Sequence, residues 1–350
     1  MLAVIADDGW FPFLPTNDVG PSAIGAERTL SRPLLGVRER GDRLVDASGR
    51  AVKLWGVNNA NLNCGADPAT AALRAARFAK HGVNSVRMHK FTYARGGGFG
   101  DPNDSTRLTP DGWTRVDTLH AALAKRGLAM AWSPIFGHQP VANDRARMLA
   151  PDEIAGLHPN SFLRGSTYGI VNVAPDLQDL HISLVTGMLR HVNPLTGKRY
   201  ADDPALAVVE LQNEDDVFFP TTHDALMRAP TYKAALARDF SRWLAARYRD
   251  DAGLRKAWGE AAIDAWPEFQ RGESIAAGTV FPICHYWWYS HEGLANQTAG
   301  VLKGNPKRLH DMAAYLYEVQ NRFYDRFRAA IRKTGYRGAI VASCWQAGDG

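Results

Sequence analysis

Asn213 and Glu214 close the run Asp203-Pro-Ala-Leu-Ala-Val-Val-Glu-Leu-Gln-Asn-Glu214, where an apolar stretch stops on an amide and a carboxylate. A carboxylic acid walled in by apolar groups holds its proton nearer neutrality, so it can protonate a leaving oxygen. An amide beside it can hold a hydroxyl. Cleavage of a glycosidic bond uses such an acid together with a second carboxylate across the sugar ring. An Asn-Glu pair by itself is a weak signal, because the same dipeptide also opens ordinary solvated loops. The elements around it must decide.

Ala205 to Leu211 is short, rich in branched residues and preceded by Pro204, which predicts a strand buried on both faces. Asn213 and Glu214 then fall at its C-terminal end, where parallel β/α folds carry their chemistry. Upstream, Arg43 to Asp46 and Ala51 to Val57 alternate about a Ser48-Gly49 turn and predict a hairpin. Its second arm runs into a first core strand, Leu54 to Val57, ending at Asn58, Asn59 and Asn61. A helix opens at Asp67 and Pro68, with Ala72, Ala76 and Ala79 on one face. Val83 to His89 is the second strand and ends in Arg87 and His89. Val116, Leu119 and Leu123 mark a helix that Gly127 closes, and Leu128 to Phe136 is the third strand, with His138 just beyond. Residues 139 to 175 form a long aperiodic segment, and segments of that length in compact domains usually have a function. Leu180, Leu184 and Met188 give the next helix, and the Asn-Glu strand is the fourth. A helix over about Tyr232 to Tyr248, an aromatic-rich insertion over about 258–305, and a strong helix through Met312, Leu316, Val319, Phe323 and Ile331 follow. Ala339 to Trp345 is a fifth strand.

Alternating strands and helices with short connections predict a parallel sheet of βα units. The fold class expected is therefore α/β, a (β/α)8 TIM barrel with about five of its eight strands present and an N-terminal β-hairpin. Residues 1–40 read as an irregular lead-in and 41–350 as the partial barrel. The composition agrees with a globular protein: 45% of the 350 residues are hydrophobic and 22% are charged. Forty-one Lys and Arg against 36 Asp and Glu leave a formal charge of +5, spread without a basic run, which argues against nucleic-acid or membrane partners. Three widely spaced Cys suggest neither a disulfide framework nor a zinc site. Gly96-Gly-Gly-Phe-Gly lacks the marks of a phosphate cradle. Met1 to Ala6 is too short for a complete secretory signal, yet could be the tail of one, with Val4 and Ala6 before the cut.

With these elements in place, Leu211-Gln-Asn-Glu214 at a fourth strand resembles the acid/base signature of the clan-A retaining glycoside hydrolases, which are (β/α)8 barrels. Gly41 to Val57 resembles the entry hairpin and first strand of the cellulase-like enzymes of family five. Phe240 to Leu244, continuing through Leu254 to Trp258-Gly259, is similar to the helix after the acid/base in β-galactosidase-like barrels of family forty-two. Phe11 to Phe13 and His191 to Glu214 resemble a large bacterial group of cellulase-like hydrolases. The resemblance implies hydrolysis of O-glycosidic bonds in a poly- or oligosaccharide by double displacement, with Glu214 as general acid/base and no cofactor or metal. Asn213 would bind the sugar's 2-hydroxyl, and Arg87 would match the second-strand arginine that steers the nucleophile. His89 and His138 stand at strand ends where they either touch sugar hydroxyls or serve as structural histidines. Trp345 is either a sugar-stacking wall or core. Tyr286, Trp287 and Trp288 either serve the site or pin the insertion.

Two other readings compete. A metal-dependent barrel hydrolase would take histidines from its first strand, and Asn58-Asn-Ala-Asn61 offers a poor metal site. A non-catalytic sugar-binding barrel, or an inactive fragment, would keep the cleft without the chemistry. The resemblance places the nucleophilic Glu after a seventh strand, beyond Gly350. Glu292 in an irregular loop and Glu318 inside a helix are poor substitutes, so this stretch alone is expected to be truncated and inactive.

Overall fold

The computed structural model of the protein describes residues 34–298 and 306–343. Most of the expected lead-in, the signal-like residues 1–6, the end of the insertion at 299–305 and Trp345 lie outside the described residues.

β1 (Arg38–Arg40) and β2 (Arg43–Val45) pair antiparallel across a turn at Gly41, whose φ of 63° suits a residue without a Cβ. The hairpin thus sits one arm earlier than expected. Around Ser48-Gly49 only a Val45 to Ala51 bridge forms. β3 (Gly56–Ala60) starts two residues later than the apolar Leu54-Trp55 pair suggested, and it holds Asn58 and Asn59 inside the strand. The Asn84 side chain explains the shift: it accepts from the Trp55 amide at 2.7 Å and donates to the Lys53 carbonyl at 2.9 Å, replacing ladder bonds there.

α1 (Pro68–Lys80) starts where Asp67 accepts the Thr70 amide, and its buried stripe is Ala71, Ala75 and Ala79, not Ala72 and Ala76. β4 (Ser85–His89) follows. α2 (Pro110–Lys125), capped by Thr109, buries Val116, Leu119 and Leu123. After β5 (Ala129–Ser133) the long segment is not featureless, since it carries α3 (Pro151–Ala155). α4 (Pro175–Arg190) and a short antiparallel pair, β6 (Val192–Asn193) with β7 (Lys198–Arg199), lead to β8 (Leu206–Glu210), buried along its whole length. α5 (Pro220–Arg228) is a helix the apolar spacing did not disclose. α6 (Pro230–Tyr248), α7 (Asp251–Trp258) and α8 (His291–Thr298) continue the chain. α9 (Pro306–Lys333) buries Leu309, Met312, Leu316, Val319, Phe323, Phe327 and Ile331 at three- and four-residue spacing. Each such side chain contributes ~1.5–3 kcal/mol relative to exposure. β9 (Ala339–Val341) completes the order.

The five main strands lie side by side as β3-β4-β5-β8-β9, all parallel. The fold is α/β, a parallel sheet built from successive βα units as expected, and among the described residues β3 and β9 are the sheet edges. One face of the sheet carries the large core shared with the helices. On the other face, the small side chains Ala129, Ala207, Val208 and Ala339 are covered by Leu34 and Val37, which precede β1. Leu34 donates to Gly127 at 2.9 Å and Gly36 to Pro204 at 2.6 Å, just ahead of β5 and β8. The segment leading into the hairpin therefore closes the N-terminal end of the strands, and among the described residues the C-terminal end is left open.

The insertion is fastened to α9 by a buried ion pair. Arg308 donates to both Glu273 oxygens at 2.7 Å, while Trp266 and Trp288 meet edge to face at 5.0 Å. Trp288 is buried, so it pins the insertion rather than facing a ligand.

Candidate active site

Parallel register puts Asn58, Arg87 and Ala131 on one level and Ala60, His89 and Ser133 on the next. Arg87 uses this alignment. Its Nε and Nη2 donate to Glu210 at 2.9–3.0 Å, Nη2 also reaches Ser133 Oγ at 2.8 Å, and Nη1 reaches Asn58 Oδ1 at 3.2 Å. Past the end of β8, Nη2 donates to Asn213 Oδ1 at 2.7 Å. One planar guanidinium thus joins four strands to the Asn-Glu element, a role its fixed fork of donors allows. The pair is largely shielded, with side-chain exposures of 29% for Arg87 and 11% for Glu210. Burial raises the Glu210 carboxyl above its ordinary range, and Arg87 opposes that shift.

Behind β8 the chain turns sharply. Glu214 has a left-handed φ of 48°, uncommon for a residue with a side chain. Two other segments hold this turn, the one between β5 and α4 and the one after β9. The Asn213 amide donates to Ile135 O at 3.2 Å, the Asp215 amide reaches Ser343 Oγ at 3.3 Å, and the Tyr168 hydroxyl donates to the Glu214 carbonyl. Asp215 is fully buried; its oxygens accept from the Gly169 amide at 3.0 Å and Asn172 Nδ2 at 2.7 Å. Gln212 Nε2 bonds Asn172 Oδ1 at 2.7 Å and the Asp215 carbonyl at 2.5 Å. Gly169 itself is required: its φ is 79°, and a Cβ there would stand 2.7 Å from the Thr221 carbonyl oxygen. Burial pushes the Asp215 carboxyl up to about 8, against the two donors, and raises Asp216 to about 6. Asp216 Oδ2 is buried without a hydrogen-bond partner.

The structure brings Glu214, Asn213, Arg87 and His89 to the C-terminal end of neighbouring strands. His89 Nδ1 lies 2.9 Å from Ser133 Oγ, and burial lowers the imidazole to about 3, so it is neutral. His138 is not brought to the cleft. It is buried with Nε2 2.8 Å from Ser105 Oγ and its ring against His181 at 4.8 Å, and it makes none of the contacts around Arg87. Burial lowers it to about 4, and it serves as a structural histidine. Trp345 falls outside the described residues. Among the described residues no group of three or more His, Cys, Asp or Glu is placed to hold a metal ion.

Four residues of the site were not singled out from the sequence: Glu210, Tyr168, Asn172 and Asp215. Glu210 had a signal, a carboxylate inside an otherwise apolar strand, four residues before Glu214. Tyr168 and Asn172 lie in the long aperiodic segment, whose length pointed to a function but not to particular residues.

The chain is similar in structure to an endo-1,4-beta-mannanase from Rhizomucor miehei, with 15% identity, 89% of this chain and 90% of that one covered, and a TM-score of 0.39. A glycoside hydrolase family 5 mannosidase from the same organism gives 13% identity, coverage of 88% and 86%, and a TM-score of 0.41. An endo-1,4-beta-D-mannanase from Thermotoga petrophila RKU-1 gives 13%, 85% and 90%, and 0.36. No protein-family model matches the chain, and neither does any curated protein. Similarity at this distance carries no argument about activity, which rests on the residues above.

Proposed function

We propose that the protein is a glycoside hydrolase that cleaves O-glycosidic bonds of a poly- or oligosaccharide with retention of configuration, with Glu214 as general acid/base. The observation that carries the reading is the Arg87 fork, which joins Glu210 and Asn213 and so fixes the register of the Asn-Glu element at an open strand end. In the proposed reaction Glu214 protonates the leaving oxygen, Asn213 holds a hydroxyl of the sugar whose bond is broken, and neutral His89 offers a further polar contact.

The second carboxylate is proposed to lie outside the described residues. Glu210 is engaged by Arg87 through both oxygens. Asp215 is sealed under the turn, and Glu318 on α9 accepts from Trp243 Nε1 at 2.9 Å, away from the strand ends. Glu292 stands in the first turn of α8. Proton NMR of products freshly released by the full-length polypeptide from β-linked oligosaccharides tests the reading. The initial anomer is expected to match the substrate; an inverted product, or no hydrolysis across neutral and charged glycans, contradicts it.

A further inference from the structure

The segment between β5 and α4 does more than clamp the Glu214 turn. It carries Phe162 into the open, 67% exposed, with its ring stacked on Phe136 at 5.7 Å. Phe136 in turn meets Tyr168 edge to face at 5.3 Å and His89 at 6.2 Å. An aromatic path therefore leads from the residue that holds the Glu214 carbonyl to a ring that faces solvent.

Beside that ring is a cleft of about 420 Å³, with Asn61, Lys90, Tyr93, Arg95 and Gln139 in its wall. All follow β3, β4 or β5, so the cleft opens at the same end of the sheet as Glu214. Its charge is one-sided: Lys90 and Arg95 line it and no Asp or Glu does. Lys90 has a left-handed φ of 58°, and its Nζ stands 4.1 Å from the Phe136 ring centre and 5.8 Å from that of Phe162. A cation so placed is attracted by the ring faces. Arg95 spends one donor on the Pro140 carbonyl at 3.1 Å. Gln139 is nine-tenths buried, and its Oε1 lacks a hydrogen-bond partner, as does the buried Tyr93 hydroxyl. Buried polar atoms of this kind ordinarily find one.

We infer that this cleft is a subsite for a negatively charged sugar residue of the glycan cleaved at Glu214. The inference rests on the glycosidase reading. The exposed face of Phe162 suits the apolar face of a pyranose ring, and Gln139 Oε1 supplies an acceptor for a sugar hydroxyl. The Lys90 ammonium and the remaining Arg95 donors suit a carboxylate or a sulfate ester, which a guanidinium binds with paired hydrogen bonds. A neutral glycan would leave both cations without a counter-charge.

Calorimetric titration of the full-length Glu214→Gln protein tests this, because binding is then read without turnover. The probes are a neutral β-1,4-linked oligosaccharide, the same oligosaccharide with a glucuronate branch, and the same with a sulfate ester. One charged probe is expected to bind about tenfold tighter than the neutral one at low salt, the gain expected of two partly screened ion pairs. Whichever probe shows the gain identifies the anionic group. The gain should disappear at high salt and in a Lys90→Gln, Arg95→Gln variant whose unfolding transition is unchanged, and Phe162→Ala should weaken all three probes. Equal binding of neutral and charged probes, a preference that survives the double substitution, or no binding at all overturns the subsite. Hydrolysis of neutral aryl glycosides by the unsubstituted protein reports on the glycosidase reading separately.

Discussion

Arg87 satisfies oxygens on three other strands and on the turn behind β8, so a lysine at this position, with a single charged point, could not reproduce the set. Asp216 shows the opposite condition: Oδ1 accepts the Phe218 amide at 2.7 Å while Oδ2 is buried and unpartnered. Its carboxyl is raised from 3.8 to about 6, and that of Asp215 from 3.8 to about 8, both through burial. The folded state therefore holds these protons more tightly than the unfolded chain does. Their contribution to stability is fully present below about pH 4 and is lost as pH rises through the folded values. Asp216→Asn replaces the orphaned oxygen with a group that does not ionise. It is expected to raise stability at neutral pH by on the order of 1 kcal/mol and to flatten the decline between pH 4 and pH 6. Urea unfolding across pH would show this, and an unaltered pH dependence would refute it.

At the scale of elements, the Glu214 turn depends on a segment distant in sequence. Asn172 bonds Asp215 and Gln212 at once, so Asn172→Ala leaves a buried Asp215 oxygen without a partner and removes one of the two bonds of the Gln212 amide. A stability loss of ~1–3 kcal/mol is expected. Because the turn and not the cleft wall is loosened, kcat should fall about tenfold while KM changes little. A purely structural role would lower stability without that split. Much of this layer was legible in the sequence. β8 was plain because a strand buried on both faces must be apolar throughout, and α1, α2, α4 and α9 showed their caps or stripes. The start of β3 was misread because Leu54 and Trp55 are apolar yet exposed, held by Asn84. α5 was missed because Pro220-Thr-Thr-His-Asp buries a helix through Thr222, His223, Ala225 and Leu226 rather than through a stripe of large apolar side chains.

For the whole molecule, Leu34 and Val37, just ahead of the hairpin, cover one end of the sheet, and α9 with its Arg308 pair locks the insertion, so the proposed site belongs to the other end. The general position of the candidate site was legible for that reason: residues ending successive parallel strands must come together at one end. Its membership was not. His138 ends the same strand region as its neighbours, yet Ser105 and His181 take it into the core, and no local pattern distinguishes the two outcomes. The measurement that bears most directly on the account is kcat/KM of the full-length Glu214→Gln protein on two substrates, an oligosaccharide with a sugar leaving group and an aryl glycoside with an acidic phenol. A proton donor matters where the leaving group is poor, so a loss of ~10²–10⁴-fold is expected on the first and a much smaller one on the second. Rates close to those of the unsubstituted protein on both would contradict the assignment of Glu214.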